Sequence, residues 1–99
     1  MKKYLIEREV PKIGTLTAEQ MREVSANSND ALRQLGPSIQ WIESFVAQNK
    51  TFCIYLAEDE SLIRQHGQIS GIPVTKITEI DRKIDPTTGS PSLPADVLR

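Results

Sequence analysis

The stretch from Phe52 to Gly67, FCIYLAEDESLIRQHG, holds the only cysteine and the only histidine of the chain, Cys53 and His66. A thiol and an imidazole can act as nucleophile and base, or as two metal ligands. Alternation puts Cys53 on a strand and His66 on the helix that follows. A cysteine beside small residues such as Ser44 and Ala57 also packs as a small hydrophobe. No thiol-enzyme signature surrounds it. His66 shares a helical stripe with Leu62 and Ile69, at spacings of four and three. An imidazole in that place is a core residue donating to a carbonyl, or else a metal ligand or proton carrier.

Three carboxylates interrupt apolar strand patterns. Glu7 follows Leu5 and Ile6, Glu43 sits between Trp41 and Phe45, and Glu79 follows Ile77. Carboxylates among apolar neighbours are costly to bury unless paired or bound to a cation. Arg8 and Arg82 are the candidate ion-pair partners. In the metal reading, Glu7, Glu43 and Glu79 join His66 as ligands, a donor set suited to Ni, Zn, Mn or Fe. Their spacing matches no dedicated metal motif. In an enzyme reading, a small cofactor-free monooxygenase or isomerase, His66 or a buried Glu is the general base, and Trp41, Phe52 and Tyr55 line the pocket. A third reading is a structural or regulatory subunit without a ligand. The segment Asp85-Pro86-Thr87-Thr88 reads first as turn chemistry.

Positioning these groups falls to six elements. Residues 2–10 alternate as a strand, with Tyr4, Ile6 and Arg8 on one face and Leu5, Glu7 and Glu9 on the other. Thr17 and Gln20 form a capping box. The helix they open carries Met21, Val24, Ser28, Ala31, Leu32 and Leu35 as an inward stripe. Gly36-Pro37 ends it. SIQWIESFVA and KTFCIYLA flank Gln48-Asn49 and predict a hairpin. Counting from that turn puts Trp41, Glu43, Phe45, Phe52, Ile54 and Leu56 on one face, and Ile42, Ser44, Val46, Cys53, Tyr55 and Ala57 on the other. Asp59 caps a second helix that Gly71 and Pro73 stop. VTKITEIDRKI is the fourth strand. The order β-α-β-β-α-β is the split βαβ of ferredoxin-like α+β folds, an antiparallel sheet with both helices on one face. Both faces of the hairpin are apolar, so a second copy of the chain is the expected cover for the far side.

The 99 residues make one domain, residues 1–84, followed by a tail from Asp85 to Arg99. The tail carries three of the six prolines and reads as extended or mobile, with Leu93, Val97 and Leu98 available as anchors on a partner. Lys plus Arg number 12 against 13 Asp plus Glu, a balance that argues against nucleic acid as a partner. A lone cysteine leaves no internal disulfide and points to a reducing compartment, the cytoplasm. The apolar run Tyr4-Leu5-Ile6 is too short for a signal peptide, and no stretch approaches a membrane span.

YLIEREVP near the start, the long central run from Trp41 to Ile80, and IDPTT resemble a family of small bacterial domains of unknown function. That family includes a nickel-binding, nickel-responsive member. Trp41, Ser44, Cys53, Tyr55 and Ala57, then Arg64-x-His66 and Gly71-x-Pro73, carry the likeness. The resemblance implies a ferredoxin-like domain that pairs sheet to sheet into a dimeric α+β barrel. It further implies a divalent metal, with nickel the first candidate, and a role in sequestration or sensing rather than catalysis. His66, Glu7, Glu43 and Glu79 are nominated by residue type and placement, not by the resemblance. One histidine per chain excludes a histidine-rich nickel site within a single subunit.

Overall fold

A computed structural model describes residues 1–91, so the tail anchors Leu93, Val97 and Leu98 lie outside the described residues. Strands β1 (Lys2–Glu9), β2 (Ile39–Val46), β3 (Lys50–Ala57) and β4 (Lys76–Ile80) alternate with helices α1 (Ala18–Leu35) and α2 (Glu60–Ser70) in the order β1-α1-β2-β3-α2-β4. The sheet order is β2-β3-β1-β4, and every pair is antiparallel. This is the ferredoxin-like α+β fold expected from the element order.

Local chemistry sets the boundaries. The Thr17 hydroxyl accepts from the Gln20 amide while the Gln20 side chain accepts from the Thr17 amide, so the expected capping box forms. Asp59 accepts from the amides of Ser61 and Leu62 at the start of α2. Gly71 ends α2 at φ +74°, a conformation that favours glycine. The hairpin turns at Gln48-Asn49, where the Ala47 amide donates to the Lys50 carbonyl. A short 3-10 turn at Ile13–Thr15, absent from the sequence reading, is bonded to that hairpin. Gly14 donates to the Gln48 carbonyl at 3.0 Å and Lys12 to Asn49 Oδ1 at 2.8 Å. A Cβ on Gly14 would stand 2.8 Å from the Ala47 carbonyl oxygen, so only glycine permits this approach.

The core lies between the helices and one sheet face. Tyr4, Ile6, Cys53, Tyr55 and Ala57 from the sheet meet Ile63 of α2, with Leu32 and Leu35 of α1 packed against them. Each large apolar side chain buried there contributes about 1.5–3 kcal/mol. Two expectations fail. A bulge between Trp41 and Glu43 leaves Ile42 without a cross-strand partner and sets Trp41 opposite Tyr55. Trp41 thus faces the helices, where its Nε1–H donates to Ser44 Oγ at 2.8 Å, while Ile42 is pushed outward. On α2 it is Ile63 and His66 that are buried, whereas Ile69 is exposed, because the helix points that residue past the sheet edge.

The outer sheet face has no cover among the described residues. Leu5, Phe52, Ile54 and Leu56 are only half-buried there, and Phe45 is 58% exposed. Cross-strand register puts Lys3, Lys50 and Lys76 on that face with Glu7, Glu9 and Glu43.

Asp85 caps a 3-10 turn at Pro86–Gly89, accepting from the Thr87 amide at 3.0 Å while its own amide donates to Thr88 Oγ1 at 3.0 Å. The turn chemistry read for this segment therefore accounts for its polar groups.

Candidate functional site

On the helix side of the sheet, a cavity of about 260 Å³ opens between β1, β2, β3, the start of α1, and the loop after α2. Ile13, Met21, Val24, Trp41 and Ile72 are among the apolar residues of its wall, which is mainly apolar. Trp41 at the bulge, Ile13 of the 3-10 turn and Gly71 at the end of α2 all line it.

Arg8 stands at the base of this cavity with 2% of its surface exposed. Alternation along β1 aims it inward after Tyr4 and Ile6. Its Nη1 donates to the carbonyls of Ile72 at 3.1 Å and Pro73 at 3.3 Å. Its Nη2 donates to the Tyr55 hydroxyl at 3.4 Å and to His66 Nδ1 at 3.3 Å. Nε makes no hydrogen bond among the described residues, and no carboxylate there lies within ion-pair distance of Arg8. The cation is therefore held by neutral acceptors and by the negative end of α2.

His66 backs this arginine and is completely buried. A guanidinium has no lone pair to offer, so Nδ1 must accept from Arg8 and the proton must sit on Nε2. Nε2–H then donates to the Ser28 carbonyl at 3.2 Å, with the Ser28 hydroxyl 3.1 Å away. Burial, followed by the Arg8 charge, holds the imidazole below its ordinary pKa and keeps it neutral, and the bond to Ser28 only partly opposes this. Burial likewise pushes the Tyr55 hydroxyl up. His66 is thus a satisfied core histidine whose ring meets Tyr55 edge-on, centroids 5.4 Å apart.

The sequence-nominated residues are distributed over both sides of the sheet. Glu7 and Glu43 are on the outer face. Glu7 is paired with Lys50 at 3.3 Å rather than with an arginine. Glu79 shares the inner phase with Tyr4, at the β4 edge, and is 3.9 Å from Lys2. Arg82 pairs with Asp81. The expected Arg8 and Arg82 ion pairs with these three glutamates do not form, since Lys50 and Lys2 are the nearer cations in the cross-strand register. Trp41 and Tyr55 line the cavity, whereas Phe52 points from the opposite face. Cys53 also lines it, its thiol donating to Thr51 Oγ1 at 3.5 Å, and no hydrogen bond joins it to His66. The sequence reading set Arg8 on one face with Tyr4 and Ile6 and offered it only as an ion-pair partner for the glutamates. An arginine in the buried phase of a strand was the available signal.

The family described as Nickel responsive protein SCO4226-like matches residues 4–80, most of the chain. The chain belongs to that family. The crystal structure of SCO4226 from Streptomyces coelicolor A3(2) superposes with a TM-score of 0.69 at 8% sequence identity, over 83% of this chain and 99% of that one. At that identity the likeness shows a shared fold. No curated protein sequence matches the chain. The family's name raises nickel, and the donor set in one copy does not fit it. Among the described residues no three His, Cys, Asp or Glu side chains gather closely enough to hold an ion. His66 has both nitrogens engaged, and Cys53 shares its cavity with a cation. Among the described residues no helix is long and apolar enough to cross a membrane.

Proposed function

We propose that this member of the nickel-responsive family is a non-catalytic binding protein that works as a homodimer closed over its outer sheet face. The observation that carries the reading is that face. Leu5, Phe45, Phe52, Ile54 and Leu56 form an apolar surface with Lys3, Lys50, Lys76, Glu7, Glu9 and Glu43 set into it. A surface bearing both charges in equal number is self-complementary about a two-fold axis. Since one copy does not assemble a metal site within residues 1–91, nickel bound there needs donors from two. Glu7 has Lys50, which leaves Glu9 and Glu43 without a salt bridge among the described residues, and of these Glu43 is the one set opposite Ile54 of β3. The general-base alternative draws no support from His66, whose ring nitrogens are both occupied.

Sedimentation equilibrium and nickel titration of metal-free protein test this together. A dimer that binds nickel more tightly than about millimolar, and binds it at least tenfold more weakly as Glu43→Gln with the fold retained, is expected. A monomer at tens of micromolar, or a dimer indifferent to nickel, overturns the reading.

A further inference from the structure

We propose that the helix-side cavity is a binding site for a small apolar molecule carrying one carboxylate, with Arg8 as its counter-ion. This site is separate from the outer sheet face and needs no metal. A buried guanidinium normally has an acidic partner, because an unpaired charge away from water is costly. Arg8 has none among the described residues, yet it forms part of a cavity wall instead of being packed over. Its two terminal nitrogens are occupied by the Ile72 and Pro73 carbonyls, Tyr55 and His66, which fixes the group rigidly and leaves Nε–H as the remaining donor. The Tyr55 hydroxyl accepts from Arg8 and also meets the Ser28 side chain, and both residues line the same cavity. Among the described residues, Arg8 is therefore the one charged residue lining a mainly apolar space whose other polar groups are neutral.

That arrangement selects by chemistry. The neutral imidazole behind Arg8 keeps the net charge at the base positive. A carboxylate gains a fixed cation there, whereas an amide or alcohol of the same shape does not. A cationic ligand is repelled. The rest of the wall, including Met21, Val24 and Trp41, accepts hydrocarbon or an aromatic ring. At about 260 Å³ the cavity lies just under the ~300–1,000 Å³ of drug-sized sites, so the ligand is a compact acid on the scale of a benzoate or a medium-chain fatty acid.

Trp41 is the only tryptophan and lines this cavity, so its emission reports occupancy directly. The full chain, in chelator-treated nickel-free buffer at pH 7.5, is titrated with benzoate, phenylacetate and octanoate. Benzamide, phenylacetamide and octanol serve as neutral counterparts. At least one acid should saturate the Trp41 signal below millimolar and bind at least tenfold more tightly than its neutral counterpart. Arg8→Gln should abolish that preference. Should Arg8→Gln fail to fold, Ser25→Leu decides, since it fills the cavity from the α1 wall without touching the arginine network, and it should weaken the acid at least tenfold. Acids and neutral analogues binding alike, none of them binding, or acid affinity unchanged in Ser25→Leu would each overturn the proposal. None of these results depends on whether the outer face dimerises or binds nickel.

Discussion

Arg8 and His66 show how a polar pair can be buried without an acid. The arginine satisfies carbonyls that follow α2, and the histidine accepts from Nη2 by staying neutral. The cost of that solution is pH sensitivity. A histidine held below its ordinary pKa in the folded state binds its proton more readily once unfolded, so stability rises with pH across that window. The contribution is complete above the unfolded value near pH 6.5 and is lost as pH falls toward the depressed folded value. The melting temperature should therefore drop between pH 7.5 and 5. His66→Gln, which keeps a donor toward Ser28 but cannot titrate, should flatten that slope at some cost in stability at pH 7.5. An equally steep slope in the variant would remove His66 as its source. The exposed carboxylates Glu19, Asp59 and Asp85 have pKa values below their ordinary ones and so act only at lower pH. At this scale the sequence was partly legible. Strand phase set Arg8 with Tyr4 and Ile6 and helix phase set His66 on an apolar stripe, but residue type alone does not say that each would be the other's partner across 58 positions.

The elements themselves were readable because each is marked by local chemistry. Thr17 with Gln20, Asp59, Gly36 and Gly71 are signals a chain must show to start and stop its helices. The bulge at Trp41 was not readable, since a strict period of two cannot reveal one added residue, and a single such residue reverses the facing of everything beyond it. The α2–β4 junction carries a second feature of this kind. A Cβ on Gly67 would lie 2.7 Å from Val74 Cγ2 and 3.2 Å from the Ile72 carbonyl oxygen. Ala at a helical position ordinarily gains about 1 kcal/mol over Gly. Here the collision is with a stiff β-branched side chain, and overpacking of this kind costs roughly 1–3 kcal/mol. Gly67→Ala should thus be destabilising by about 1 kcal/mol net in urea unfolding. A stabilised variant would show that Val74 yields, and Val74→Ala in the same background should then have no rescuing effect.

For the molecule as a whole, family membership and fold agree with the sequence reading, while the partner remains the proposal that organises the rest. The outer face is large for a chain of 99 residues, and small domains gain stability by sharing such surfaces. Ile54 is central on it, on β3 between β2 and β1. Ile54→Lys should shift the sedimenting species from dimer to monomer while leaving far-UV circular dichroism near wild type, because the side chain points away from the core. A variant that sediments as the wild type does would place the contact elsewhere. No pattern in one sequence names the second molecule, because an apolar face is written the same way whether a copy, a ligand or another protein covers it.

β1 precedes both strands it pairs with, yet it sits inside the sheet, between β3 and β4, and its Arg8 reaches carbonyls more than sixty positions downstream. During synthesis the leading segment therefore has no finished place to go. One of its edges waits for the hairpin and the other for β4, the fourth strand among the described residues. Chains cut off before residue 76 should keep that edge unpaired and open to pairing with other strands, so β4 is the element that closes the sheet against aggregation.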